Sequence, residues 1–260
     1  MAKIIFLGTC SGTEPMPGMH HTSTILIENE SIYWFDAGEG CAHTAFTARG
    51  TDIAHSRALF ISHMHGDHTA GLPHLFVVLQ KMAWRFNLPL HYDNAFNVYL
   101  PEPEFLPYFV AATKASFNPQ PFPFNVFGHP VTEGMIYEDE NIRVTALPNT
   151  HIRPNEDGKI RSYSFLVTLA TGKRIVFSGD VGAPSELDAL IGEHADVLIM
   201  ETGHHKVADV CAYAKSRPVN KLYLNHHGRE IIGDFQGMER LATSLFPATV
   251  LAYDGLEIDV

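Results

Sequence analysis

At 260 residues the chain is long enough to bury a sizeable core, as one large domain or two small ones. Hydrophobic residues at 45% and charged residues at 18% exclude an intrinsically disordered chain, and the formal net charge of -11 opposes nonspecific attraction to nucleic acid. Three widely spaced cysteines, Cys10, Cys41 and Cys211, argue against a disulfide framework and for a reducing compartment. No apolar run approaches the roughly 18 residues of a membrane span, and the start of the chain lacks a signal-peptide core, so the expectation is a cytoplasmic protein with no membrane partner.

In chain order, Lys3-Ile4-Ile5-Phe6-Leu7 predicts a buried strand that Gly8 ends, feeding a long polar loop over residues 8–18. Thr24-Ile25-Leu26-Ile27 and Ile32-Tyr33-Trp34-Phe35 flank a polar turn and predict a hairpin. Asp36-Ala37-Gly38-Glu39-Gly40 breaks the second strand before a predicted helix from Cys41 to about Arg49. A strand over residues 58–62 follows, then a helix from His74 to Arg85 with Leu75, Val78, Leu79 and Met82 at helical spacing. Residues 87–135 are dense in proline and aromatic side chains. Within them residues 97–100 predict a strand and residues 104–115 a short helix. The Pro/Phe-rich remainder around residues 117–124 reads as a lid, a dimer-facing segment or a self-packed surface loop. Beyond it the predicted elements are strands at residues 142–147, 163–168, 174–177, 197–200, 221–224 and 249–253, and helices at 185–191, 207–215 and 235–245. Hairpins early and strand–helix alternation late suggest two sheets with helices packed outside, in a single domain over residues 1–260 with an insertion or lid at about 87–135. No internal repeat is apparent.

The densest chemistry is His63-Met64-His65-Gly66-Asp67-His68, which sits where the strand Ala58-Leu59-Phe60-Ile61 gives way to a loop. In extended backbone His63 and His65 share a face, and Gly66 would permit a sharp turn that re-aims Asp67 and His68 at a second point nearby. Imidazole and carboxylate without thiolate suit zinc first, with iron or manganese as alternatives. Three later strands also end in a metal-binding residue type: Leu147-Pro148-Asn149-Thr150-His151, Val176-Phe177-Ser178-Gly179-Asp180 and Leu222-Tyr223-Leu224-Asn225-His226.

These segments, in this order, resemble the metallo-β-lactamase superfamily, whose His-x-His-x-Asp-His, distal His, Ser-Gly-Asp and Leu-x-Leu-x-His pattern spans nearly the whole chain. The resemblance implies an α+β fold, a four-layer αββα sandwich, with two Zn2+ ions. It implies His63, His65 and His151 as ligands of the first, Asp67, His68 and His226 of the second, and Asp180 as the bridge. His227 is the alternative to His226. Asp36 matches a buried acid that orients a ligand histidine, or caps a turn. Phe6-Leu7-Gly8-Thr9-Cys10-Ser11-Gly12 with His21-Thr22-Ser23 resembles the ribonuclease Z and phosphodiesterase branch. Two departures stand out: no segment has the Gly- and Lys-rich composition of that branch's tRNA-binding arm, and Met200-Glu201-Thr202-Gly203-His204-His205 replaces its His-Glu-Ala-Thr segment.

Two zinc ions about 3.5 to 4 Å apart can share a hydroxide and lower its pKa toward neutrality. On this reading Asp67 is catalytic as well as a ligand, His204 or His205 is the general acid with Glu201 tuning it, and His20 and His21 are candidate substrate contacts. Cys10 has no basic partner evident from sequence and reads as a loop residue. His43, His55, His74, His91, His129 and His194 have no motif context. The expected activity is a metal-dependent phosphodiesterase acting on a small-molecule or nucleotide-like substrate, with bulk nucleic acid disfavoured and a homodimer compatible. The alternatives are acyl hydrolysis of a lactone, thioester or β-lactam, tRNA 3′ processing, or metal-dependent regulation without turnover.

Overall fold

The computed structural model describes residues 2–12, 16–48, 50–116 and 122–260. The chain divides into two compact units, one made of Met1–Gly8, His20–Pro130 and Asp254–Asp259, the other of Thr9–Met19 and Val131–Tyr253 with Val260.

The first unit is a seven-stranded sheet. Its strands are β1 (Lys3–Gly8), β2 (Ser23–Glu28), β3 (Ser31–Phe35), β4 (Ser56–Phe60), β5 (Ala95–Leu100), β6 (Asn125–Pro130) and β14 (Glu257–Asp259), in the order β14-β1-β2-β3-β4-β5-β6. The first three pairings are antiparallel and the last three parallel. The hairpin between β2 and β3 turns through Asn29 and Glu30, both at positive φ (48° and 66°), as a two-residue turn matched to strand twist requires. Helix α1 (Cys41–His43) runs into a wide helical turn at Thr44–Ala48, so the predicted regular helix to Arg49 is replaced by a short irregular one, and Arg49 itself lies outside the described residues. A single turn α2 (Gly66–Thr69) precedes α3 (Leu72–Arg85), which buries Leu72, Leu75, Phe76, Leu79 and Met82 with Ile25, Leu59 and Val98 of the sheet. At about 1.5–3 kcal/mol for each fully buried large apolar side chain, that stripe outweighs any intrinsic helix preference. Helix α4 (Leu106–Ser116) joins the same core through Leu106, Phe109 and Val110.

In the second unit the strands are β7 (Gly134–Glu138), β8 (Ile142–Pro148), β9 (Tyr163–Leu169), β10 (Arg174–Phe177), β11 (Ala195–Thr202), β12 (Val219–His227) and β13 (Thr249–Leu251). Pairings β7-β8, β8-β9 and β9-β10 are antiparallel, whereas β10-β11, β11-β12 and β12-β13 are parallel. Helices α5 (Asp188–Ile191), α6 (Val207–Lys215), α7 (Arg229–Gly233) and α8 (Phe235–Leu245) accompany it, and Val207, Val210, Cys211 and Ala214 of α6 pack with Leu198, Met200, Leu222 and Leu224. Both units thus share one plan, three antiparallel pairings followed by three parallel ones, a repeat of topology that the sequence does not display.

Residues 87–135 do not form one loop. They supply β5, α4, β6 and the start of β7, and residues 117–121 of the predicted lid lie outside the described residues. Among the described residues no helix is long and apolar enough to cross a membrane, and Cys10, Cys41 and Cys211 are buried and form no disulfide.

Candidate metal centre

In the first unit β4 stops at Phe60, two residues earlier than predicted, and Ser62 to Thr69 carry the ligand types away from the parallel strand's C-terminal end. Such ends are where open sheets with parallel strands present functional loops. His65 is extended (φ -62°, ψ 151°), and His63 Nε2 lies 2.9 Å from His65 Nδ1, so the two imidazoles meet as residue alternation predicts. Gly66 then opens the helical turn α2. It has no positive φ, and a Cβ placed on it would meet nothing within 4 Å, so the predicted need for glycine's freedom is not what turns the chain. Helical winding at Gly66–Thr69 does, held by Ala70 N–H to Gly66 O (2.7 Å) and by Thr69 Oγ1 to His65 O (3.0 Å).

Asp36 organises this loop from β3. Its carboxylate accepts Ser62 N–H at 2.7 Å, Ser62 Oγ–H at 2.9 Å and His68 Nδ1–H at 2.8 Å, all buried. Accepting from Nδ1 fixes the tautomer of His68 and leaves the lone pair on Nε2, which lies 3.6 Å from Asp67 Oδ2. The sequence-based reading of Asp36 as an orienting acid therefore matches its contacts.

In the second unit His151 follows β8, Asp180 follows β10, and His204 and His226 sit at the ends of β11 and β12. Asp180 Oδ2 is 3.6 Å from His151 Nε2 and 3.7 Å from His204 Nδ1, while Asp180 Oδ1 is 3.4 Å from His226 Nε2. Glu201, 2% exposed, accepts Val181 N–H (3.2 Å) and His204 N–H (2.8 Å) and lies 3.1 Å from His204 Nδ1, which makes it a support for the histidine loop. A buried polar chain underlies these loops. Ser162 Oγ donates to Asn149 Oδ1 (2.6 Å), Asn149 Nδ2 donates to Ser164 Oγ (3.1 Å), Ser164 Oγ donates to Ser178 O (2.5 Å), and Glu201 N–H donates to Ser178 Oγ (3.0 Å). Glu186 clamps the His151 and Asp180 loops together, accepting from Thr150 Oγ1 and from Gly182 N–H (3.0 Å).

His226 and His227 part company. His226 adopts φ 50° at a register shift between β11 and β12, which turns its ring to Asp180, and Gly203 makes room for that ring: a Cβ there would lie 2.5 Å from His226 Nδ1. His227 is fully buried, donates Nε2–H to Ala252 O at 2.7 Å, and burial pushes its pKa down to about 4. His227 therefore holds strands together as a neutral group. His205 Nε2 donates to Val181 O at 3.0 Å, whereas His204 is the more exposed of the pair, at 45% against 13% of the side chain. His20 Nδ1 faces Glu39 Oε1 at 3.0 Å, and His20 N–H donates to Asp254 Oδ2 at 2.6 Å.

The donor chemistry within each unit fits a divalent metal. Imidazole nitrogen and carboxylate oxygen pairs at 3.4–3.7 Å exceed the roughly 2.7–2.9 Å of a charge-assisted hydrogen bond. They match the edge, about 3.4 Å, of a tetrahedron drawn with metal–ligand bonds of about 2.1 Å. Asp180, Glu201, His204 and His226 offer ligand atoms within 4.8 Å of one another, although Glu201 is already engaged by backbone donors. The sequence assigns no supporting role to Ser62, Asn149, Ser178 and Glu186, although Asn149 and Ser178 lie within the quoted motifs. For Ser62, Asn149 and Ser178 the one signal is a place within two residues of His63, His151 and Asp180, and for Glu186 there is none, since Thr150, which it holds, is distant in sequence.

Comparison with known proteins identifies the family and the fold. Residues 33–227 match the family model described as beta-lactamase superfamily domain. Ribonuclease Z of Bacillus subtilis is 27% identical, the match covering 99% of both chains over 321 aligned positions, so part of that relative has no counterpart in this 260-residue chain. Human tRNase Z, short form, superposes with a TM-score of 0.71 at 21% identity over 99% of each chain. A diphosphatase of the PhnP family superposes with a TM-score of 0.69 at 15% identity, covering all of this chain and 98% of the other. The fold is thus the metallo-β-lactamase fold expected from the motifs. One expectation is overturned: relatives matched along their full length are named ribonucleases, so nucleic acid is not disfavoured as a partner. A net charge of -11 sums over the whole surface and does not report the local field where cations would gather.

Proposed function

Because this chain belongs to the β-lactamase superfamily and is a metallo-hydrolase, we propose that it cleaves a phosphodiester bond in a small or nucleotide-like substrate, using two zinc ions. His63, His65 and His151 would hold the first ion, Asp67, His68 and His226 the second, and Asp180 would bridge them. The observation that carries this reading is the spacing of imidazole and carboxylate atoms at ligand–ligand distances around Asp180 and Asp67. When bound, such metals lower the pKa of water and neutralise charge developing on phosphate oxygens.

The chain's own residues do the rest. Asp36 and Ser62 lock His68, which pre-organises the loop before substrate arrives. Asp67 orients the attacking water and accepts its proton. Glu201 accepts the backbone N–H and Nδ1–H of His204, and in its imidazolium form His204 also carries Nε2–H, the proton it gives to the departing alkoxide. His205 is a positioning group because its Nε2 is engaged by Val181 O. The three buried cysteines agree with a reducing, cytoplasmic compartment.

A second reading, ribonucleolytic cleavage, is favoured by the names of the relatives. One experiment separates the readings: metal content by elemental analysis, with turnover of bis(p-nitrophenyl) phosphate, a pre-tRNA bearing a 3′ trailer, and p-nitrophenyl acetate by wild type and Asp67→Ala. Zinc near two per chain and diester turnover lost in Asp67→Ala support the proposal. Turnover of the acetate alone would replace it with acyl hydrolysis, and trailer removal far faster than diester turnover would favour the RNA reading.

A further inference from the structure

The carboxylate of Glu186 meets three donors from two separate loops of the second unit. Its Oε2 accepts Gly182 N–H at 3.0 Å and Thr150 N–H at 3.3 Å, and its Oε1 accepts Thr150 Oγ1–H. Thr150 precedes His151, and Gly182 lies two residues after Asp180. One side chain therefore braces the backbone beside both members of the His151–Asp180 pair, whose Nε2 and Oδ2 lie 3.6 Å apart. The brace is itself anchored: Glu186 sits in the turn Pro184–Leu187, its N–H donates to Ala183 O at 3.1 Å, and Leu187 is fully buried in the second unit's core. Gly182 has no positive φ, yet a Cβ on it would collide with Thr150 Oγ1 and lie 3.3 Å from Glu186 Oε1, so glycine here answers to the close approach of the two loops.

We propose that Glu186 is a positioning residue of the metal centre: by drawing Thr150 and Gly182 onto one carboxylate it fixes the separation of His151 and Asp180, and with it the affinity and coordination geometry of the zinc ion they share. The inference rests on the two-metal reading above. The polar chain from Asn149 through Ser164 to Ser178 ties the same two loops at residues that precede the ligands. Glu186 ties Thr150 to the stretch that follows Asp180, so Asp180 is held from both sides along the chain. Ligand groups fixed in this way are pre-organised for a metal and lose affinity when the supporting bonds go. The role is one of bracing, and an amide can fill it. Both backbone N–H groups go to Oε2, and the Oε1 contact is a hydroxyl that can also accept, so the oxygen of a glutamine could take the two N–H groups while its N–H₂ donates to Thr150 Oγ1.

The test measures zinc binding by competition with a chromogenic chelator, and the visible absorption of the cobalt-substituted protein, for wild type, Glu186→Gln, Glu186→Ala and Thr150→Val. In Glu186→Ala one zinc equivalent binds about 10-fold or more weakly and the cobalt spectrum changes, whereas Glu186→Gln stays within about 3-fold of wild type and keeps its spectrum. Thr150→Val, which loses only the hydroxyl contact, falls between them. Urea unfolding of the chelator-treated proteins reads the fold separately. Wild-type zinc affinity and spectrum in Glu186→Ala overturn the proposal even if its unfolding midpoint drops, because Glu186 would then serve the fold alone. A loss in Glu186→Gln as deep as in Glu186→Ala also overturns it, by assigning the effect to charge. Thr150 is exposed, so Thr150→Val carries the test if Glu186→Ala does not fold, and unchanged zinc affinity in it then overturns the brace. Wild type that takes up two zinc ions while no variant differs from it removes the brace and leaves the two-metal reading standing. Wild type that takes up no zinc removes that reading, and the brace with it.

Discussion

Asp36 holds a backbone φ of 57°, a conformation that non-glycine residues other than Asn and Asp seldom adopt, and from it the carboxylate reaches three donors at once. Replacing it by Asn keeps the shape but removes the charge and turns an amide N–H₂ toward groups that donate. Asp36→Asn is therefore expected to destabilise the fold by about 2–3 kcal/mol and to weaken zinc binding 10- to 100-fold, read by urea unfolding and by competition with a chromogenic chelator. Unchanged zinc affinity would mean that His68 does not depend on Asp36 for its orientation. Glycines divide just as sharply. Gly38 lies against the His21 backbone and Asp67 O, with a Cβ position 2.5 and 2.6 Å from them, so Gly38→Ala should cost about 1–3 kcal/mol and shift the Asp67 loop. Gly66→Ala meets open space in a helical turn and should change the unfolding midpoint little, or raise it. Equal losses for the two variants would show that the ligand loop needs Gly66 after all.

Each parallel strand that ends in a ligand type ends in a different way, and β12 shows why that matters. His226 leaves the ladder at positive φ, while His227, one residue on, stays buried against Ala252 O beside Phe235 and Thr202. Because the folded pKa of His227 is held near 4, below the ordinary value of about 6.5, the unfolded chain takes up a proton before the native one does. Stability contributed by this group is thus fully present above pH 6.5, declines as pH falls from 6.5 toward 4, and levels off below, by up to about 3 kcal/mol. Urea unfolding of chelator-treated protein between pH 4 and 7 should show this slope, and His227→Gln should flatten it. A slope that persists in His227→Gln would assign it to other groups. The same strand shows what was legible beforehand. Its apolar run and terminal histidines were readable because ligand residues cluster where local pattern changes, as they do after β4, β8 and β10. Which of two adjacent histidines turns inward was not, since that depends on a register shift against β11. Strands β6 and β14 were missed for a related reason: residues 125–130 are mostly exposed and end in proline, and β14 is three residues long, so pairing with neighbours and not local composition makes them strands. The repeated sheet plan was invisible because each unit reaches it through different side chains.

Taken whole, the chain is acidic, with a formal charge of -11, and its proposed reaction must place more negative charge on phosphate and leaving oxygens. Metal loading answers the first need, and by mass action it must also stabilise the fold: zinc at about 100 times its Kd adds about 2.7 kcal/mol. For a chain of this size that is a rise in Tm of roughly 5–11 °C, absent in His63→Ala and in His151→Ala if both belong to one centre. A rise that persists in either variant would remove that residue from the ligand set. Protonation of the leaving group answers the second need, and here the predicted outcome depends on the substrate. A p-nitrophenolate departs without help, whereas a ribose or alkyl oxygen must gain a proton as the P–O bond breaks. If His204, held by Glu201, is that donor, His204→Ala should lower kcat on bis(p-nitrophenyl) phosphate less than about 10-fold. On a diester with an alkoxide leaving group it should lower kcat by about 100-fold or more. His205→Ala should act on both substrates equally, through the Val181 carbonyl it holds. An equal loss on the two leaving groups in His204→Ala would make His204 a structural neighbour of Asp180, and the acid would have to be sought elsewhere.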